Sequence, residues 1–224
     1  MSSYAMLIFA SIAFVGSHFA MSHTLRPAMV RMFGRAGFVA VYSLISLALL
    51  IWMVMAYRAA PTGNMWWNVG DVLWGISSGV TLFAAVLYAG SFSGNPALPS
   101  PGAAELAART PTGVFRVTRH PMMWSFALWG IAHILIAPRA EVFIFIGSII
   151  FLALAGSAAQ EVKKSNVMGV EWEAWLRKTS YMPRITQFFN VGAANWVIGV
   201  VIWLLATWAH NFFGPYAAGV FRWL

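Results

Sequence analysis

The sequence predicts an all-α protein that crosses a lipid bilayer about six times as a bundle of hydrophobic helices. Two observations lead to this fold class. Of the 224 residues, 60% are hydrophobic and only 9% are charged, whereas a soluble domain carries about 25% charged residues. The apolar residues also fall into long runs whose interiors contain no lysine or arginine. Because so few charged side chains cannot cover the surface of a globule of this size, we expect lipid rather than water to surround the chain.

Six runs are long and apolar enough to be membrane spans. The fourth is short for a full span, so we expect it to borrow residues from its flanks. No internal repeat, linker or second domain is visible, and residues 1–224 are therefore predicted to form a single transmembrane domain. The predicted spans are Tyr4–Ala20, Phe38–Tyr57, Val69–Phe92, Met122–Ala137, Val142–Ala159 and Trp196–Phe213.

The positive charges are unevenly distributed between the loops. Eleven of the fourteen Lys and Arg residues stand in the first, third and fifth loops. The positive-inside rule then places these loops in the cytoplasm and both termini on the other side, which is the periplasm in a bacterium. Cations beside apolar runs act as topology signals, so the net charge of +8 does not indicate a nucleic-acid partner.

Two of the cytoplasmic loops are long enough to hold structure. Residues 93–119 contain Pro99 and Pro101 and are predicted to form an ordered, turn-rich crossing. In Gln160–Asn190, charges alternate with Trp172 and Trp175 at helical spacing. This pattern predicts an amphipathic helix at the membrane interface after the fifth span.

The third predicted span contains Gly75-x-x-x-Gly79. Small residues at this spacing allow two membrane helices to approach closely. We interpret the motif as packing within the bundle rather than as a dimer interface.

The five histidines are the residues best suited to chemistry, because the chain has no cysteine and polar groups inside membrane spans are usually functional. His18, His133 and His210 fall in predicted spans, His120 opens the fourth span, and His23 follows the first. Each could simply bond a neighbouring carbonyl. Several imidazoles with almost no buried carboxylate nevertheless favour haem b, an apolar plate that a helix bundle can bury. A zinc ion held by three histidines is the alternative.

The Arg119-His120-Pro121 motif stands at the start of the fourth span. Proline suits the first turn of a helix and keeps the preceding residue extended, which would present Arg119 and His120 to a pocket at the membrane surface. Such a pair could bind a phosphate or a carboxylate, including a haem propionate. The alternative is a positive-inside anchor, for which the arginines alone would suffice.

Several stretches of the chain together are typical of one family. They are Gly34-Arg35-Ala36-Gly37 with Tyr42–Leu47, Arg116–Pro121 continuing to His133, Trp172 with Thr179, Ser180 and Pro183, and Trp208–His210 with Phe213-Gly214. On these residues nearly the whole chain resembles the NnrU family. That resemblance implies a bacterial inner-membrane protein linked to nitrite and nitric oxide reduction.

The family is in turn similar to plant zeta-carotene isomerase, which uses haem b to isomerise a cis double bond of an apolar polyene. The resemblance implies His18 and His133 as axial ligands of haem b. In the haem b hypothesis, Arg119 and His120 line the cytoplasmic mouth of the site. Depth along the helices favours other pairs. Counted from the ends of the spans at 1.5 Å per residue, His18 lies about 21 Å from the outer face and His133 about 6–8 Å. Depth alone would pair His133 with His210, or His18 with His120.

A second resemblance is to isoprenylcysteine and phospholipid methyltransferases, which also carry an Arg-His-Pro motif and use S-adenosylmethionine. Here Met123 replaces their tyrosine and Gln160 precedes a single Glu161, so the methyl-donor site looks incomplete. Three hypotheses therefore follow. The chain is a haem b protein that isomerises a polyene or handles nitric oxide, a methyltransferase of a lipid-like substrate, or a non-enzymatic membrane assembly partner.

Overall fold

The computed structural model describes residues 3–98, 102–213 and 216–224, and these residues form helices and turns without a β-strand. Pro99 and Pro101 of the predicted crossing lie outside the described residues. Short 3₁₀ helices cover Gly113–Arg116, Ile185–Asn190 and Gly219–Arg222. The α-helices are α1 (Ser3–Ser22), α2 (Arg26–Ala59), α3 (Asp71–Gly90), α4 (Ala103–Ala108), α5 (Pro121–Ile136), α6 (Ala140–Met168), α7 (Val170–Lys178) and α8 (Ala193–Phe213).

Five of these helices, α1, α2, α3, α6 and α8, are long and apolar enough to cross a membrane. Helix α5 is apolar but has only 16 residues, a length of about 24 Å at 1.5 Å per residue. It takes Pro121 from one flank but ends one residue early, at Ile136, so the expectation that this span would be lengthened is wrong. A helix for each predicted span, together with α7 after the fifth, confirms the predicted all-α membrane fold.

The chain divides into two compact units, and the first comprises Met1–Asn68 and Ala137–Leu152. Helix α1 packs against α2 around a buried cluster that includes Leu7 and Met53, both fully buried. Phe145, from the first part of α6, packs against the same cluster. Because lipid tails are as apolar as these side chains, close van der Waals packing rather than water exclusion stabilises such contacts in a membrane.

The second unit comprises Val69–Ile136 and Ala153–Leu224. Helix α3 packs against both α5 and α8. The Ser77 hydroxyl donates to the Ala132 carbonyl of α5 at 3.0 Å. The Trp203 indole N–H of α8 donates to the Thr81 hydroxyl at 3.0 Å. Polar bonds of this kind fix the register of neighbouring helices where lipid offers no competing partner.

The close approach of helices in the second unit occurs at Gly199 rather than at Gly75 and Gly79. A Cβ built on Gly75 or Gly79 would meet nothing of the described part of this unit within 4 Å. A Cβ on Gly199 would lie 2.7 Å from the Val86 Cα. Within this unit no helix packs closely on Gly75 or Gly79, so their role in helix packing stays a prediction. The small residue that lets α8 reach α3 is Gly199.

We expect Gly199→Ala to lower the stability of the protein by about 1–3 kcal/mol, because the new methyl group collides with backbone that cannot rotate away. Gly75→Ala serves as the matched control, since it adds the same methyl group to a membrane helix in open space. Unfolding in mixed micelles would measure both. Equal stability of the two variants would contradict the close α3–α8 contact.

Helix α2 begins at Arg26, twelve residues before the predicted span at Phe38. Its backbone departs from helical geometry at Gly34, where φ is 70° and ψ is 176°. This region of backbone conformation is essentially restricted to glycine. Three arginines around a glycine resemble a loop in sequence, which is why the helical segment before Gly34 was not expected.

The segment after the fifth span differs in extent from the prediction. Helix α6 continues to Met168, and only Val170–Lys178 forms the separate amphipathic helix α7. Gly169, with φ of 54°, separates the two helices. Trp172 and Trp175 are both buried, at 0% and 2% exposure. The apolar face of α7 therefore covers the second unit, where it packs against α4.

Candidate functional site

The Arg119-His120-Pro121 motif connects a buried turn to α5, which begins at Pro121. Hydrogen bonds hold the segment that precedes the motif: the Arg119 N–H donates to the Ser180 carbonyl at 2.9 Å. The Thr118 hydroxyl donates to the Tyr181 carbonyl at 2.7 Å. As expected for a residue before proline, His120 lies outside the helix. These backbone contacts and the following proline fix the position of the His120 backbone independently of its side chain.

The side chains of Arg119 and His120 converge on Glu161 of α6. The guanidinium of Arg119 binds both carboxylate oxygens, through Nε to Oε1 and through Nη2 to Oε2, the latter at 3.1 Å. His120 Nε2 lies 2.9 Å from Glu161 Oε1. The His120 side chain is 1% exposed and that of Glu161 21%. We call Arg119, His120 and Glu161 the charged cluster.

An aromatic wall surrounds the charged cluster. The Arg119 guanidinium lies 5.6 Å from the centre of the Tyr181 ring, which also contacts the His120 ring edge-to-face at 5.6 Å. Trp124 packs against Tyr181, and Trp172 packs against His120. The Tyr181 hydroxyl donates to the Leu154 carbonyl at 2.7 Å. These contacts shield the cluster and strengthen its electrostatic interactions.

Three indole N–H groups near this wall are buried without an acceptor among the described residues. They belong to Trp124, Trp172 and Trp175. A buried donor without an acceptor costs free energy, so these indoles contribute through the packing of their rings and not through hydrogen bonds.

The structure thus brings together the two residues predicted to bind a cofactor, and it adds a third. The sequence placed Glu161 together with Arg119 and His120 only through the resemblance to methyltransferases, and it did not predict hydrogen bonds between them. Because Glu161 accepts hydrogen bonds from both Arg119 and His120, an incoming carboxylate or phosphate would have to compete with it. Cofactor binding by Arg119 and His120 stays a prediction.

The remaining histidines share one local arrangement, which the helix itself creates. In each, Nδ1 bonds the backbone carbonyl four residues earlier, at distances between 2.7 and 3.2 Å; the residues are His18, His23, His133 and His210. A carbonyl oxygen can only accept, so Nδ1 carries the proton. In the neutral ring the lone pair then sits on Nε2. Metal-binding histidines are commonly oriented by this kind of bond.

Two of these imidazoles meet in the second unit. The rings of His133, on α5, and His210, on α8, have centroids 6.2 Å apart and planes inclined by 33°. Trp129 packs on His133 with a centroid distance of 4.3 Å. No group of three or more His, Asp or Glu residues that could hold a metal was found in the part of the chain that the structure describes. The pair therefore gives no support to the three-histidine zinc alternative.

The spacing of this pair suits two ligands of one metal ion. With a metal–nitrogen distance of about 2 Å, and a ring centroid roughly 1 Å beyond the nitrogen, two imidazoles on opposite sides of a metal have centroids about 6 Å apart. The donor set, two neutral imidazoles without a carboxylate, is that of bis-histidine haem. The spacing and the donor type of the pair are thus those that two imidazole ligands of one iron would need.

His18 lies in the first unit. Its ring contacts Phe14 edge-to-face at 4.5 Å and Tyr42 at 5.5 Å. Like His133, it has a fixed Nδ1 and an Nε2 that can ligate a metal. The pairing of His18 with His133 stays a prediction. Of the two pairings that helix depth favoured, His133 with His210 is found in the second unit, and His18 with His120 stays a prediction.

A family model described as NnrU protein matches residues 6–216, nearly the whole chain and parts of both units. No curated protein and no solved structure matches the chain.

Proposed function

The chain belongs to the NnrU family, and from that membership we propose that it is a haem b protein of the bacterial inner membrane with both termini in the periplasm. The location is supported by the apolar helices and by the uneven distribution of Lys and Arg between the loops. The observation that carries the haem proposal is the His133–His210 pair, with its 6.2 Å spacing and two Nε2 atoms left for a metal.

Within this proposal the side chains have distinct tasks. The Trp129 carbonyl accepts from His133 Nδ1 at 2.7 Å, and the Ala206 carbonyl accepts from His210 Nδ1 at 2.8 Å. These bonds hold each ring in the tautomer that can bind a metal. The bond of His133 is partly buried and that of His210 is exposed. If haem were bound here, His133 would be its more shielded ligand and His210 its more accessible one.

Held by these two histidines, haem b would supply an iron able to coordinate a small uncharged ligand. An apolar polyene or nitric oxide is the proposed ligand, because both are uncharged and partition into the membrane. The resemblance to zeta-carotene isomerase supports the first, and the family's link with nitric oxide reduction supports the second. The charged cluster has no role in this chemistry, since Glu161 already accepts hydrogen bonds from both Arg119 and His120.

A reduced-minus-oxidised absorption spectrum of protein purified from haem-replete cells tests the proposal. We expect a b-type spectrum that is lost in His133→Ala and lost or shifted to a high-spin form in His210→Ala, because each variant would remove a proposed ligand of the iron. His23→Ala is the matched control, since this histidine has the same Nδ1 bond but lies outside the pair. Its spectrum should equal that of the unaltered protein.

Three other outcomes would contradict the proposal or revise it. A colourless protein would overturn haem binding altogether. A colourless protein that binds S-adenosylmethionine would favour the methyltransferase instead. A spectrum lost in His18→Ala but unchanged in His210→Ala would replace His210 by the ligand that the resemblance implied.

A further inference from the structure

The first unit contains a basic segment set apart from the rest of α2. Residues 26–35, here called the basic arm, include the helical turns before Gly34 and the arginine after it. At Gly34 the backbone leaves helical geometry, with φ of 70° and ψ of 176°. The arm is therefore oriented independently of the long apolar part of α2 that follows.

The basic arm exposes apolar and basic side chains together. Met32 is 71% exposed and Phe33 45%, and the neighbouring Arg31 and Arg35 are also exposed. Large apolar side chains beside guanidinium groups suit the boundary between acyl chains and headgroups, where both kinds of group find their preferred surroundings.

The charge of the arm is not compensated within the protein. The first 70 residues contain no aspartate or glutamate, and the ion pairs found among the described residues include none of the arm's arginines. Arg26 contacts the Phe38 ring, 5.4 Å from its centroid. Three guanidinium groups are thus available to an anionic partner from outside.

We propose that the basic arm binds the phosphate headgroups of anionic phospholipids. Guanidinium groups bind phosphate oxygens through two parallel hydrogen bonds. Met32 and Phe33 insert beside the acyl chains of the same lipids and so distinguish a lipid from a free anion. The bend at Gly34 lets the arm follow the membrane surface while the rest of α2 crosses the bilayer.

Binding of short-chain lipids to the purified full chain in detergent micelles, followed by native mass spectrometry, tests this proposal. We expect dioctanoyl phosphatidylglycerol to bind more tightly than dioctanoyl phosphatidylcholine, and its affinity to fall as salt is raised. The variant Arg31→Gln should weaken phosphatidylglycerol binding by about fivefold, as expected for one cation near an anionic lipid surface. Binding of phosphatidylcholine should not change.

Arg58→Gln is the matched control, because Arg58 is an exposed arginine at the opposite end of the same helix. It should leave phosphatidylglycerol binding unchanged within about twofold. An equal loss in Arg31→Gln and Arg58→Gln would show general charge attraction and overturn the proposal. Competition by inorganic phosphate at the lipid's own concentration would also overturn it, since the site would then take a free anion. The salt dependence of phosphatidylglycerol binding to the unaltered protein is a further measurement, and it requires no variant.

Discussion

Glu161→Ala is expected to lower the free energy of unfolding by about 2–4 kcal/mol, because it leaves the Arg119 guanidinium and the buried His120 imidazole without their shared acceptor. The carboxylate makes three hydrogen bonds to these two side chains. Its side chain is 21% exposed, so the loss should be somewhat smaller than that of a fully buried pair. Unfolding by sodium dodecyl sulfate in mixed micelles would measure it.

Two further variants separate charge loss from simple truncation. Glu173→Ala removes a carboxylate on α7 that pairs with Arg177 at 3.9 Å while 61% exposed, and it should cost about 0.5 kcal/mol or less. The double variant Arg119→Ala/Glu161→Ala should be more stable than the sum of the two single losses implies, because it leaves no unpaired charge. If Glu161→Ala were no more harmful than Glu173→Ala, the charged cluster would have no role in holding the fold.

Trp172→Ala is expected to cost about 3–5 kcal/mol, the usual loss when a buried indole is replaced by a methyl group. Trp172 is fully buried, and its ring lies 6.5 Å from that of His120. Truncation would leave a cavity beside the charged cluster that the surrounding helices cannot fill. The same unfolding assay applies.

Trp172→Phe distinguishes packing from hydrogen bonding at this position. The Trp172 N–H has no acceptor among the described residues, so phenylalanine should retain more than half of the stability that alanine loses. Trp223→Ala, at a tryptophan 51% exposed, should change stability by about 0.5 kcal/mol or less. A loss in Trp172→Phe as large as that in Trp172→Ala would show that the indole N–H has a partner after all.

The helices were predictable because each depends on its own composition. A long apolar run without charges favours a membrane helix whatever its neighbours are, and every predicted span has a helix in the structure. The errors occur where charges or glycines interrupt this signal. The helical turns before Gly34 contain arginines, as a loop would, and α6 continues past Lys163 and Lys164 to Met168.

Contacts between helices were harder to predict, since a single sequence contains no record of which faces meet. Gly75 and Gly79 have the spacing of a packing motif. Nevertheless, α8 approaches α3 at Gly199, which has no second glycine four residues away. Likewise, nothing near Glu161 indicates that its partners lie about forty residues earlier. Depth along a helix is different, because it follows from the rise per residue. The pairing of His133 with His210 was one of the two that depth favoured.

The bond from each Nδ1 to a carbonyl one turn earlier makes tautomer choice a property of a single helix. Any peptide that forms the same turn should hold the same proton on the same atom, without help from a second helix. Labelled α5 alone, incorporated into lipid, should therefore show the nitrogen chemical shifts of the Nδ1–H form of His133. Only the distance between two ligands then has to be set by tertiary packing, and changes in helix position could adjust metal affinity while the chemistry of each donor stays constant.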